Sequence, residues 1–272
     1  AIIEHIESAG VHSGDATMTI PPTSLEDHVI KTIEEYTTKI AKALRICGPF
    51  NVQYLVKDGE VFVIECNLRA SRSLPFVSKT TGINLVLLAT AFMLGKKLRD
   101  FALPEKFIPP PHFGVKVPQF SFMRLDGADT ILNVEMMSTG EVACLGEDLH
   151  RTLLMSLYSA ETLIPTNGGK LFVSAGGRRL KEEIVPIVKT FEEAGYEVYA
   201  TEHTAEALKS SDVKVQTLYK ISEPYRKPNL VDYITNRKLD IIINITSATT
   251  MDKYASMMDD EYVMRRKAVE FN

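Results

Sequence analysis

The chain has 272 residues, enough for two domains at roughly 100–200 residues each, and its 45% hydrophobic and 24% charged content is ordinary for a globular protein. A formal charge of −4 lacks the basic footprint of a nucleic-acid binder, and no apolar run reaches the roughly 18–20 residues of a membrane span, so neither nucleic acid nor membrane is expected as a partner. Three scattered cysteines, Cys47, Cys66 and Cys144, exclude a disulfide framework and a CxxC metal site and suit a reducing, cytoplasmic compartment.

In chain order, residues 1–20 read as a strand, a turn at Gly10 and His12-Ser13-Gly14-Asp15, and a second strand through Met18-Thr19-Ile20, closed by Pro21-Pro22. Thr23-Ser24 ahead of acidic residues offers hydroxyl caps for a helix. Its apolar positions run from Val29 through Ile33, Tyr36, Ile40 and Leu44 to Gly48-Pro49. Two strands follow, Asn51–Val56 and Val61–Cys66, and Asp58-Gly59 between alternating β-branched runs predicts a hairpin. A helix is expected from about Ile83 to Leu94. The proline-rich stretch Pro104–Pro118 reads as an irregular connection, and residues 129–165 as short strand, turn and helix.

Beyond Gly168-Gly169 the rhythm becomes α/β. Strands are expected at Lys170–Ser174, Glu197–Ala200, Val213–Tyr219 and, fully buried, Asp240–Ile245. Helices are expected at Leu180–Ala194, Thr204–Ser210 and Leu230–Arg237. This alternation predicts a parallel sheet with ligands at the strand C-termini. The fold class is therefore α/β: residues 1–103 as one domain, 104–167 as a connecting segment completing it, and 168–272 as a second, parallel-sheet domain.

The hairpin carries the chemistry. Glu65 and Asn67 are two apart, so both leave one face of their strand, and Gln53 can sit opposite. Three oxygen-bearing side chains on one face suit Mg²⁺, which takes few hard ligands and leaves room for nucleotide phosphates. Arg69 and Arg72 follow where cationic forks could hold phosphate. From spacing alone, a half-polar strand facing solvent explains the same residues equally well.

Longer motifs separate the two readings. Asn51-Val52-Gln53, Val63 through Ser73 and Pro75 through Gly82 resemble the ATP-grasp large subunit of carbamoyl-phosphate synthetase. So do Glu4-His5-Ile6-Glu7, Ala9 through Asp15 and Met137 through Val142. Asn67-Leu68-Arg69 and Val115 through Phe122 look more like the eukaryotic pyrimidine-pathway forms. The resemblance implies that Gln53, Glu65 and Asn67 bind the divalent ions (Mg²⁺ or Mn²⁺). His12 and Ser13, with Gln53 and Glu65, contact ATP, and Arg69 and Arg72 are the catalytic contacts to phosphate and carbamate. Carbamate, from bicarbonate and ammonia, would be phosphorylated to carbamoyl phosphate for pyrimidine biosynthesis, with a glutaminase subunit or fused domain as partner. Leu68 stands where many ATP-grasp enzymes have proline. Both ends read as cut, and the clamping lid of the family is expected before residue 1, so the chain expressed alone is expected to be inactive.

Residues from about 168 resemble the same family's regulatory domain, which shares its fold with methylglyoxal synthase. Its nucleotide-effector positions fall on Lys181, Thr201, Thr204, Lys220, Asn244 and Thr246. Hydroxyls, an amide and backbone N–H groups at strand C-termini and helix N-termini would make a phosphate cradle. The mitochondrial urea-cycle members carry Trp in the segment matching Tyr219-Lys220, and this chain has no Trp. A uridine nucleotide is therefore the expected effector. Val117, next to Lys116, which matches the family's lysine, replaces the glutamate that helps bind ornithine in bacterial members, although Glu7 and Asp15 are retained; ornithine activation is therefore not expected. His5 reads as a structural histidine, Cys66 as a small hydrophobe, and Ser138-Thr139-Gly140-Glu141 as a helix cap. Methylglyoxal synthase activity is set aside because Thr246 through Met251 replaces its catalytic segment. The competing functional reading is a non-catalytic effector-binding or interaction module.

Overall fold

The computed structural model describes residues 1–7, 9–103, 107–121, 130, 132, 134–245 and 251–271, with backbone alone for 251–259. The chain divides into two compact units: residues 1–120 with 132–162, and residues 121–131 with 163–272. Among the described residues no single helix is long and apolar enough to cross a membrane.

The first unit is built on an antiparallel sheet of four strands, β1 (Glu4–His5), β2 (Met18–Ile20), β5 (Phe113–Gln119) and β6 (Gly140–Gly146), in the order β1-β2-β5-β6. Met18, Ile20, Phe76 and Val77 form its apolar core. Helix α1 (Asp27–Ala43) buries Val29 and Ile33. Thr23 and Ser24 do not cap it; its N-cap is Glu26, whose side chain makes no capping hydrogen bond. Both residues instead surround the Glu4 carboxylate, which accepts from the Thr23 hydroxyl at 3.1 Å and the Ser24 N–H at 3.0 Å. The carboxylate offers charge-assisted bonds that outbid helix capping.

Strands β3 (Asn51–Lys57) and β4 (Glu60–Asn67) form the expected hairpin, with Asp58 and Gly59 both at positive φ as a two-residue turn requires. Tyr54 at its centre shares a 2.7 Å hydrogen bond with Thr37 of α1. Helix α2 (Leu74–Thr81) was not anticipated, although Pro75 near its start and Gly82 in the left-handed conformation at its end are ordinary helix punctuation. Helix α3 (Leu85–Met93) follows, begun by Asn84, whose side chain accepts from the Leu87 N–H at 3.0 Å.

The proline-rich stretch is not wholly irregular, because β5 is a central strand. Its Pro118 lies beyond the last residue paired with β2, Lys116, so that edge of the strand is free there and tolerates proline. Ser138-Thr139-Gly140-Glu141 leads into strand β6 and caps no helix. The helix that follows, α4 (Leu149–Ser159), is capped by Asp148, which accepts from the Arg151 N–H at 2.8 Å.

The second unit holds a wholly parallel sheet, β7 (Lys170–Ala175), β8 (Glu197–Ala200), β9 (Val215–Thr217) and β10 (Ile241–Ile245), in the order β10-β7-β8-β9. Alternation along β7 sends Leu171 and Val173 into one core with Ile184, Val188 and Leu208 of α5 (Gly177–Glu193) and α6 (Glu202–Lys209). Phe172 enters a second core with Leu230 and Ile234 of α7 (Leu230–Thr235) and Met264 of α8 (Met251–Glu270). Strand β10 is a half-buried edge strand, not the fully buried one expected, and α8 was not foreseen.

Candidate active site

A cavity of about 840 Å³ opens in the first unit, and His12, Ser13, Gln53, Glu65, Asn67, Arg69 and Arg72 all line it. The hairpin places the first set. Gln53 and Glu65 face each other in register, and Asn51 faces Asn67. A bulge follows Gln53: Gln53 pairs with Glu65 but Tyr54 pairs with Val63, so Ile64 is an extra residue. Asn67 Nδ2 donates to Glu65 Oε1 at 2.7 Å.

That bond leaves the second carboxylate oxygen of Glu65, the carbonyl oxygen of Asn67 and the amide of Gln53 with no side-chain partner among the described bonds. The donor set is hard oxygen throughout, which fits Mg²⁺ or Mn²⁺. Cys66 lies between the two acceptor residues and is half-buried, and among the described residues no group of three or more His, Cys, Asp and Glu side chains gathers as a metal site.

The arginines are held from the other side. Arg72 Nη1 donates to Ser138 Oγ at 3.5 Å and lies 3.0 Å from the Met136 sulfur. Arg69 Nη1 donates to the Ala70 carbonyl at 3.2 Å. In the turn ahead of β2, His12 Nδ1 accepts from the Gly14 N–H at 3.0 Å, which fixes the ring and leaves Nε2 for another partner.

Two residues that shape this site carry no short-range signal. Asp15 is fully buried and accepts from the Met137 and Ser138 N–H groups at 2.8 and 2.9 Å. Burial alone would raise its pKa, but these bonds outweigh it and hold the carboxyl below its ordinary value. Lys116, 1% exposed, donates to the Gly14 carbonyl at 3.1 Å and lies 3.7 Å from the Glu141 carboxylate. Burial lowers its pKa against the opposing pull of Glu141. Burial, then the Lys116 charge, also lowers the pKa of His5, in keeping with a structural histidine.

In the second unit the expected effector residues are more dispersed. Thr201 and Lys220 follow the C-terminal ends of β8 and β9, and Asn244 lies near that of β10. Thr204 is buried, and its hydroxyl accepts from the Ala175 N–H at 3.2 Å and from the Thr201 hydroxyl at 3.1 Å. The side-chain amide of Asn244 is buried, and neither of its atoms has a partner among the described residues. Lys220 is exposed. Lys181 lines a separate hollow of about 580 Å³ with Arg178, Glu182, Ser210 and Ser211, which includes none of the other five. Thr246 lies outside the described residues.

Residues 2–101 match the carbamoyl-phosphate synthase L chain ATP binding domain, and residues 183–272 match the MGS-like domain. The chain is 42% identical to the multifunctional protein pyrABCN of Emericella nidulans, over 99% of this chain and 12% of that protein. It is 40% identical to the multifunctional protein URA2 of Saccharomyces cerevisiae, over 100% of this chain and 12% of that one. Against the mitochondrial carbamoyl-phosphate synthase [ammonia] of Homo sapiens it is 39% identical, over 99% of this chain and 18% of the human protein. The chain thus spans less than a fifth of the length of these relatives. The two matched domains and the similarity running along the whole sequence agree: the chain belongs to the carbamoyl-phosphate synthase large-chain family, from which it carries an ATP-binding domain portion followed by an MGS-like domain.

Proposed function

We propose that the cavity of the first unit is the phosphorylating half-site of a carbamoyl-phosphate synthetase of pyrimidine biosynthesis, using ATP on carbamate. The observation that carries this is the gathering of Gln53, Glu65, Asn67, Arg69 and Arg72 around one cavity with His12 and Ser13. Gln53, Glu65 and Asn67 would hold Mg²⁺ or Mn²⁺, which when bound neutralises phosphate charge. Arg69 and Arg72 bring guanidinium groups to the γ-phosphoryl group and to carbamate. His12 and Ser13 orient the nucleotide. An anionic carbamate oxygen attacks the γ-phosphorus in line, the bond to the β,γ-bridging oxygen breaks, and its electron pair leaves with ADP. No proton need be removed from the nucleophile. The protein's share is positioning and charge stabilisation.

In this reading residues 1–103, completed by 104–167, belong to the ligase half and 168–272 to a regulatory domain. A uridine nucleotide acting there through Lys181, Thr201, Thr204, Lys220, Asn244 and Thr246 is the proposed effector. The unpartnered amide of Asn244 supports a polar ligand at that edge of the sheet. Ammonia, bicarbonate and a glutaminase subunit or fused domain are the remaining partners, and the cytoplasm is the proposed location.

The test is ATP formation from ADP and carbamoyl phosphate, run on the full-length protein with and without Glu65→Gln. Activity unaffected by that substitution refutes the proposed site. The same assay on the present chain alone, expected to be silent, decides whether it acts there only as an effector-binding module. Calorimetry with UTP, UMP and N-acetylglutamate tests the effector, and binding of the last alone overturns the nucleotide assignment.

A further inference from the structure

Lys116 is a large, fully buried cation whose bonds lie on no element of its own. Its ammonium donates to the Gly14 carbonyl at 3.1 Å and sits 3.7 Å from the Glu141 carboxylate. The same carbonyl receives a second donor, the Ser138 hydroxyl, at 3.3 Å. That hydroxyl oxygen in turn accepts from Arg72 Nη1 at 3.5 Å. The Met136 and His12 side chains close over the turn it grips: a Cβ placed on Gly14 would lie 2.7 Å from the Met136 sulfur and 3.1 Å from His12 Nδ1. The carboxylates facing the ammonium are Glu141, Glu7 and Asp15, and the cationic groups near it are Arg72 and His5. Glu7 and Asp15 are engaged elsewhere, accepting from the Thr17 N–H at 2.6 Å and from the Met137 and Ser138 N–H groups.

Desolvating an ammonium costs several kcal/mol, so a lysine in such a place needs its full set of acceptors. One of those acceptors is the carbonyl that ends the His12-Ser13-Gly14 segment. The geometry points to Lys116 as a positioning residue of the ligase site, which clamps the Gly14 carbonyl and, with Ser138, couples the placing of the His12–Ser13 turn to that of Arg72. This rests on the reading of the cavity as the nucleotide and carbamate site.

The test uses Lys116→Met, which keeps the bulk and removes the charge, and Lys116→Arg, which keeps charge and donors. Both are made in the full-length protein, beside Glu65→Gln. In ATP formation from ADP and carbamoyl phosphate, Lys116→Met is expected to raise KM for ADP and lower kcat by about tenfold each, with partial recovery in Lys116→Arg. Ser138→Ala, which spares the buried charge pair, is expected to raise the same KM by about threefold. Its effect should be larger on the Lys116→Met background, where the Ser138 hydroxyl is the remaining side-chain donor to that oxygen. Ser138→Ala also carries the test if Lys116→Met does not fold. A lower unfolding temperature with KM unchanged in every Lys116 and Ser138 variant assigns Lys116 to stability alone and overturns the proposal. If Glu65→Gln is also without effect, the reading of the cavity itself falls with it.

Discussion

The side-chain amide of Asn67 donates to one oxygen of the Glu65 carboxylate at 2.7 Å, so the two residues act on the cavity as one unit. Replacing Glu65 by Gln keeps the shape, removes the charge and puts a second amide against the first. The expected loss of phosphoryl transfer is on the order of 10²–10³-fold, the scale for removing one preorganised electrostatic partner. Asn67→Ala frees the carboxylate and removes one oxygen donor, and should cost less. Both hairpin side chains are exposed, so unfolding temperatures should stay near the parent value, and a scan beside the kinetics checks this.

Asp15 gives the first unit an acid limb. Its folded-state pKa lies below the ordinary carboxylate value, so the unfolded chain binds its proton first as pH falls. The stabilisation is complete above about pH 4, the unperturbed aspartate value, and drains away as pH drops toward the lowered folded value. Asp15→Asn should remove that limb and also destabilise at neutral pH by about 1–3 kcal/mol, because an amide NH₂ then faces the Met137 and Ser138 N–H donors. Denaturant unfolding at pH 7 and at about pH 3, inside the window where the limb drains, compares the two.

Gly168 is held at φ +83°, and a Cβ there would lie 2.6 Å from the Gly195 carbonyl oxygen. Backbone faces backbone, so no rotamer change relieves the clash. Gly168→Ala is expected to lose about 2–4 kcal/mol from the second unit. A thermal unfolding scan of the chain reads the loss.

Thr204 is both a proposed effector contact and a support of the sheet. Its hydroxyl accepts from the Ala175 N–H inside the fold. Thr204→Val should cost about 1–3 kcal/mol by stranding that N–H, whereas Thr204→Ser keeps the acceptor and should cost less. Calorimetry with UTP on both variants separates a structural strut from a direct contact: in the strut case, Thr204→Ser binds as the parent does.

How much of this was legible in the sequence follows from the range of the interactions. The hairpin was readable because Asp58-Gly59 dictates its turn locally, and the parallel sheet because each of its strands sits between helices of ordinary length. Strand β5 was obscured by the prolines around it, although Pro118 falls where the neighbouring strand has ended. Helix α2 was missed even though Pro75 and Gly82 bracket it, since the eight residues are too few for periodicity to assert itself. Lys116 and Asp15 were visible only through the resemblance, and their hydrogen bonds to the His12–Gly14 turn and to Met137 and Ser138 were not: those bonds cross 102 to 123 positions of sequence, and no local pattern encodes a partner so distant. Thr23 and Ser24 mislead for a related reason, because a carboxylate about twenty positions away takes the hydroxyls that local rules assign to a cap.

The bulge after Gln53 sets two β4 residues, Ile64 and Glu65, against one on β3, and both line the cavity. The aim of the carboxylate is thus set partly in the main chain, by the bulge, beside the bond it receives from the Asn67 side chain. Surveys that exchange one amino acid for another would leave that information untouched and rate Ile64 as replaceable. Removing Ile64 outright would erase the bulge and re-aim the carboxylate, a change that no substitution at that position makes.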